Sequence, residues 1–275
     1  MSQARRHRRF QALAFVTLAV GLLPAPFAAT IADPVQLAGA LFGWAIAMYL
    51  LAASGTLVAA LTYDRGAPMR PGWLLLSGSY LVLVLALLRI GPRANGLYPA
   101  IHGAPWVDFL GSVLSGAMAV TGFILLSRAW RASGLDTTSR AARVAARLVA
   151  VAVAVAVAGP DLVERLPAAM NGDVLAIGDV VTDLLDGGVF VVAVPVLGAA
   201  LMLGGGLVAW PWLMLTASLV AWLGYDATGA YCGAAGLDAR TLRVADEVLR
   251  TLGAAFAFSA GIAQRWVMTD ALRDD

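Results

Sequence analysis

The chain has 275 residues, 60% of them hydrophobic and only 13% charged, with a mean hydropathy of +0.81. A soluble domain carries about 25% charged residues, so composition excludes a soluble enzyme, a nucleic-acid-binding domain and a disordered regulator, and identifies a polytopic membrane protein. All 19 basic residues are arginine, and without a lysine amine no retinal Schiff base can form.

A helix needs about 20 mainly apolar residues to cross the hydrocarbon layer. In chain order the candidate spans are 10–30, 37–62, 73–91, 107–127, 144–166, 174–203, 210–229 and 244–264. Turn chemistry separates them: Asp33-Pro34, the stretch from Asp64 to Gly72, the segment Gly91-Pro92-Arg93-Ala94-Asn95-Gly96, and the run Gly204-Gly205-Gly206. Val149 to Ala158 alternates valine and alanine, but an unpaired strand leaves its backbone polar groups unsatisfied in lipid, so helix is expected there.

The arginines set the orientation. Arg5, Arg6, Arg8, Arg9, Arg65, Arg70, Arg128, Arg131, Arg140, Arg143, Arg147, Arg265 and Arg273 fall on one side of the eight-span arrangement. Arg89, Arg93, Arg165, Arg240, Arg243 and Arg250 fall on the other. The richer side is expected to be cytoplasmic, with both termini there and the protein in the cell (inner) membrane. An alternative is that Arg5–Arg9, the apolar run to Leu23 and the small residues Ala28-Ala29 form a cleavable signal peptide. Seven spans would then remain.

The two halves are alike. Trp73-Leu74-Leu75-Leu76 opens span three and Trp212-Leu213-Met214-Leu215 opens span seven. Trp73 lies 35 residues before Asp108, and Trp212 lies 34 before Asp246. Each aspartate precedes a small-residue-rich helix ending in basic and aromatic residues, Arg128-Ala129-Trp130 and Gln264-Arg265-Trp266. The expected organisation is two parallel four-helix repeats, 1–135 and 136–275, the second carrying most of the acidic residues. A Trp-led, Leu-rich helix, a polar outer loop with proline, then an aspartate opening the next helix, done twice, resembles a bacterial multi-helix membrane input region. Such regions precede diguanylate-cyclase (GGDEF), EAL or histidine-kinase effectors. Trp210-Pro211-Trp212 through Tyr225-Asp226 and on to Ala245-Asp246 carries the likeness best. The resemblance implies a sensor or signalling input module; with the sequence ending at Asp275, its output is expected to pass through a cytoplasmic signalling partner.

An ionisable side chain inside a span is costly and marks a functional hypothesis. Span six carries Asp179, Asp183 and Asp186, spaced i, i+4, i+7 on one helical face. Span seven carries Tyr225-Asp226, and span eight begins with Asp246 and Glu247, with Arg250 one turn later. With both termini inside, all of these converge on the outer half of the bilayer. Several acids cannot all ionise there against one arginine, so they are expected to be protonated, water-exposed or holding a cation. Three readings follow. The set forms an outward-open cavity for a ligand, proton or cation; or the groups pair structurally, Arg250 with Asp246 or Asp226; or Asp179, Asp246 and Glu247 sit in interfacial water. Asp246 and Glu247 suit a helix N-terminus, and Asp108 and Asp246 are expected to cap their helices.

Other features point to structure. Gly39 and Gly43 form a GxxxG that permits close helix contact. Trp44, Trp106, Trp210, Trp212, Trp222 and Trp266 read as interfacial anchors, and Pro195 as a hinge. His102 is expected in a solvated outer loop, where it could sense pH. With two histidines, His7 and His102, and the single Cys232, no standard metal site can be written. No cofactor motif appears, and an aspartyl dyad from Asp183 and Asp226 has no supporting motif, so catalysis is not expected. The expected partners are the bilayer, a cytoplasmic signalling protein and further copies of the chain, not nucleic acid. A proton- or cation-coupled transporter or channel is the second functional expectation.

Overall fold

The structure, a computed structural model, describes residues 3–90, 105–133, 139–203, 206–228, 231, 236 and 238–274. Of residues 3–5, 89, 90, 105–108, 199, 200 and 271–274 it describes the backbone alone. Among the described residues every regular element is helical: α1 (Gln3–Gly21), α2 (Pro24–Thr30), α3 (Pro34–Leu61), α4 (Arg70–Ile90), α5 (Pro105–Ala132), α6 (Arg140–Met170), α7 (Val174–Val192), α8 (Val194–Met202), a 3-10 turn at Leu207–Ala209, α9 (Trp210–Ala227) and α10 (Ala239–Asp274). Seven helical stretches are long and apolar enough to cross a membrane. The eighth expected span, 244–264, lies inside α10, which has 36 residues and is not among those seven. Asp246, Glu247 and Arg250 at one end, and Gln264 and Arg265 at the other, dilute its apolar stretch.

Local chemistry explains the boundaries. Asp33 accepts from Val35 N at 2.7 Å and Gln36 N at 3.1 Å, capping α3 ahead of Pro34. Asp173 does the same for α7 through Leu175 N at 2.9 Å and Ala176 N at 3.3 Å. It follows Gly172, whose φ of 87° lets α6 end with Asp173 N donating to Ala168 O at 3.1 Å and Gly172 N to Ala169 O at 3.0 Å. Asn171-Gly172-Asp173 thus closes one helix and opens the next.

Prolines break two of the expected spans and leave a third intact. Span one divides into α1 and α2 before Pro24. Span six divides at Ala193, because Pro195 has no N–H to give and Val196 N turns to Ala193 O at 2.8 Å. The freed Val192 carbonyl accepts instead from Ser127 Oγ of α5 at 2.8 Å. α6 continues through Pro160 and Pro167. Pro160 leaves Ala156 O without its helical donor, and the Tyr231 hydroxyl donates to it.

Contacts run from α3 to α4, α4 to α5, α5 to α7 and α8, α8 to α9, α9 to α10 and α10 back to α3, closing a ring. α1 lies outside it against α10, and α6 lies outside against α7. Two apolar clusters hold the ring. One joins Trp73, Leu126, Trp130, Trp212 and Leu215, with Trp130 and Trp212 at 5.4 Å between ring centroids. The other joins Met48, Tyr49, Tyr80, Val84 and alanines of α10. Trp212 is therefore a core residue, not the interfacial anchor expected of it. The expected GxxxG pair is also displaced: a Cβ on Gly39 or Gly43 would meet nothing within 4 Å. The close approaches are Gly55 with Gly261 and Gly72 with Gly122.

Candidate functional site

The ring encloses a cavity of about 790 Å³. Its lining runs from the N-terminal ends of α3, α5, α7 and α10 and the C-terminal ends of α4 and α9 to Thr56, Phe123, Val189 and Leu215. Of the predicted set, Asp179 and Asp186 of α7, Tyr225 and Asp226 of α9, and Asp246, Glu247 and Arg250 of α10 line it. Asp183 is not among the lining residues. At 3.6 residues per turn, i+4 lies about 40° past Asp179 and i+7 about 20° short of it. Asp183 is rotated accordingly, and its electrostatic neighbours include Arg165 and Asp161 of α6 as well as Asp179, Asp186 and Asp226.

The charges sort into paired and unpaired groups. Arg250 Nε donates to Glu247 Oε2 at 3.1 Å and Nη2 to Oε1, a fork within one helical turn. Its guanidinium lies 5.9 Å from the Tyr49 ring centroid. The structural reading pairs Arg250 with Asp246 or Asp226; its partner is instead Glu247, which α10 presents three residues before it. Arg165 of α6 reaches Asp161 at 3.5 Å and Asp179 at 3.3 Å, tying α6 to α7. No arginine among the described residues pairs with Asp186, Asp226 or Asp246. Asp226 has Asp186, Asp183 and Asp161 as its charged neighbours, and Asp246 Oδ1 and Asp183 Oδ2 are buried with no hydrogen-bond partner among the described residues.

Asp246 and Glu247 do not begin their helix as expected, because α10 starts a full two turns earlier, at Ala239. The cap is Asp238, which accepts from Thr241 Oγ1 at 2.5 Å and from the backbone N–H of Thr241 and Arg240 at 3.0 Å. These bonds, the Thr241 hydroxyl foremost, hold the Asp238 carboxyl below its ordinary value of 3.8. From the same turn Arg240 Nη2 reaches Ala28 O at 2.6 Å and Ile31 O at 2.7 Å, covering the carbonyls at the end of α2.

Seven aromatic residues of the wall, Phe42, Tyr49, Tyr80, Phe109, Phe123, Phe190 and Trp222, were not anticipated at the site. Trp222, expected to anchor at the interface, donates from Nε1 to the Tyr80 hydroxyl at 3.3 Å, stacks on Tyr49 at 6.0 Å and meets Tyr225 edge-on at 5.8 Å. Phe42, Phe109, Phe123 and Phe190 extend the aromatic surface. Most hydroxyls of the wall are already satisfied. Ser79 and Ser115 bond to each other at 2.9 Å, Ser218 donates to Gly253 O at 2.7 Å, and Thr182 to Gly178 O at 2.9 Å. Tyr49 and Tyr80 are signalled in the sequence only as hydroxyl-bearing rings within apolar spans.

Among the described residues no three His, Cys, Asp or Glu side chains are grouped to hold a metal ion. His102 and Cys232 lie outside the described residues, as does the side chain of Asp108. No family model, curated protein or solved structure matches the chain.

Proposed function

We propose that the chain is an integral membrane sensor, a signalling input module that binds a ligand, proton or cation in its outer half and acts through a cytoplasmic partner. The observation that carries this is a small-molecule-sized cavity whose wall includes Asp186, Asp226 and Asp246, none of them ion-paired with an arginine among the described residues. The resemblance to the membrane input regions of diguanylate cyclases and histidine kinases supports the same reading. In this proposal α10 is the eighth span, its apolar face packed on α3 and α9, and the protein sits in the inner membrane with both termini cytoplasmic. The repeats correspond as α3, α4, α5 to α7/α8, α9, α10: exchanging the halves maps the α10–α3 contact onto the α5–α7 contact.

Two experiments test it. Cys232, between α9 and α10, should react with a membrane-impermeant maleimide in intact cells. A cysteine replacing Asp64, between α3 and α4, in a Cys232→Ser background should react only after permeabilisation; the reverse pattern rejects the orientation. Photocrosslinkers at Arg131 and Arg140 should capture a kinase or cyclase whose output changes in Asp226→Asn. Unchanged output, or no signalling enzyme among the products, rejects the sensor.

A second reading, a proton- or cation-coupled transporter, is favoured by the interruption of α7/α8 at Ala193 beside the ring interior, since broken helices mark transport sites. Proteoliposome flux abolished by Asp226→Asn would select it over the sensor.

A further inference from the structure

The cavity wall restricts what it can hold, and the step taken here rests on reading the cavity as a ligand site. Its charges are unbalanced. Asp179, Asp186, Asp226, Asp246 and Glu247 share the wall with Arg243 and Arg250. Arg250 is engaged by Glu247 and Asp179 by Arg165, and among the described residues no arginine forms an ion pair with Asp186, Asp226 or Asp246, although Arg250 lies within electrostatic reach of Asp246. Among the described lining residues the carboxyls outnumber the arginines, and a cation seated among them would balance the charge that they take on.

The rest of the wall decides which cation. A small metal ion needs several oxygen ligands converging at bonding distance, and the described residues offer no such group. A cavity of about 790 Å³ is also far larger than an ion. Its aromatic faces carry negative quadrupole potential, which favours a weakly hydrated organic cation. Trp222 and Asp226 are spaced i, i+4 on α9, so one helical face offers a ring and a carboxylate one turn apart. Deeper in, Leu76, Phe123, Val189 and Leu215 are apolar.

We propose that the cavity binds an organic cation, a quaternary or protonated ammonium. Its nitrogen lies against Asp226, Asp186 and the Trp222 ring, and its apolar body points toward Phe123 and Leu215. The same ammonium chemistry can arrive as a lipid headgroup or as a free amine.

The test uses the full chain in nanodiscs of phosphatidylglycerol, titrated calorimetrically with benzyltrimethylammonium and choline. The control ligand is 3,3-dimethyl-1-butanol, which has the shape of choline without its charge. Saturable binding of the cations alone is expected. Affinity should fall about tenfold or more in Asp226→Asn and in Trp222→Leu, while Asp226→Glu, Trp222→Phe and the remote Asp64→Asn retain most of it. Monodisperse gel filtration of each variant separates lost binding from lost folding, and the two conservative variants carry the test if the others aggregate. Phosphatidylcholine nanodiscs distinguish the sources: weakened benzyltrimethylammonium binding there assigns the site to a lipid headgroup, and unchanged binding to a free amine. Equal binding of dimethylbutanol, or unaltered affinity in both Asp226→Asn and Trp222→Leu, overturns the cation but leaves a ligand cavity. Absence of saturable cation binding also overturns it. Whether the cavity itself then survives is read from Ser112→Cys in a Cys232→Ser background. Reaction with a water-soluble maleimide keeps the cavity open to ligands, and no reaction removes the underlying reading as well.

Discussion

Gly55 of α3 and Gly261 of α10 face each other so closely that a Cβ on Gly261 would overlap the Gly55 carbonyl, and one on Gly55 would lie 2.5 Å from Phe258 O. Both obstacles are backbone, so no side-chain rotamer can relieve them. Gly261→Ala should therefore push α10 off α3 and lower stability by about 1–3 kcal/mol or more. Gly39→Ala and Gly43→Ala meet no atom within 4 Å and should raise it by up to about 1 kcal/mol through helix propensity alone. Thermal unfolding of the three variants in one detergent checks this. Equal effects at all three would deny that the α3–α10 crossing depends on glycine.

The Arg250–Glu247 fork is mostly buried, with side chains 16% and 14% exposed. Removing one partner strands the other charge at a cost of about 3–5 kcal/mol, whereas removing both is often nearly neutral. Glu247→Gln and Arg250→Met should each be strongly destabilising, and the double variant should recover most of the loss. A double-mutant cycle measures the coupling. If the two single losses simply add, the pair is not a unit, and Arg250 answers to another acid of the cavity.

The helices and the acidic wall were legible for a local reason. In lipid each helix satisfies its own backbone, so an apolar run reveals it without reference to neighbours, and a charge within that run stands out. What depends on rotation and register between helices was not legible. A GxxxG at Gly39 and Gly43 reads the same as a crossing at Gly55 and Gly261 until the packing partner is known. Arg250 has Asp246 and Glu247 at i−4 and i−3, and periodicity alone does not choose between them. Trp222 in an apolar span reads alike whether it faces lipid, a neighbour or a cavity. The α10 cap is hidden in the sequence because Asp238 precedes a polar first turn, and the hydropathy pattern begins only near Val244.

The Tyr231 hydroxyl supplies the hydrogen bond that Pro160 withholds from Ala156 O. Tyr231→Phe should cost about 1 kcal/mol by leaving that carbonyl without its donor. In a Pro160→Ala background the helix regains its own N–H, so the same substitution should become nearly neutral. Thermal unfolding of the four chains closes the cycle. A Tyr231→Phe penalty undiminished in the Pro160→Ala background would mean that the tyrosine acts through packing and not through this carbonyl.

Asp238 makes the start of α10 sensitive to acid. It is fully exposed, and its bonds to Thr241 and Arg240 hold its carboxyl below the ordinary 3.8. A carboxyl with a depressed folded value binds protons more readily once its partners are lost, so the turn is firm above about 3.8 and loosens as pH falls through the lower folded value. Arg240, in the same turn, grips Ala28 O and Ile31 O, so α2 should loosen with it. Amide exchange at Thr241 and along α2, followed from about pH 6 to about pH 3 and corrected for intrinsic rates, should show protection falling at the acid end. Asp238→Asn keeps an acceptor oxygen without the proton equilibrium and should flatten that dependence, while Asp238→Ala should lose protection at every pH. An acid transition that persists unchanged in Asp238→Asn would place the titrating group elsewhere.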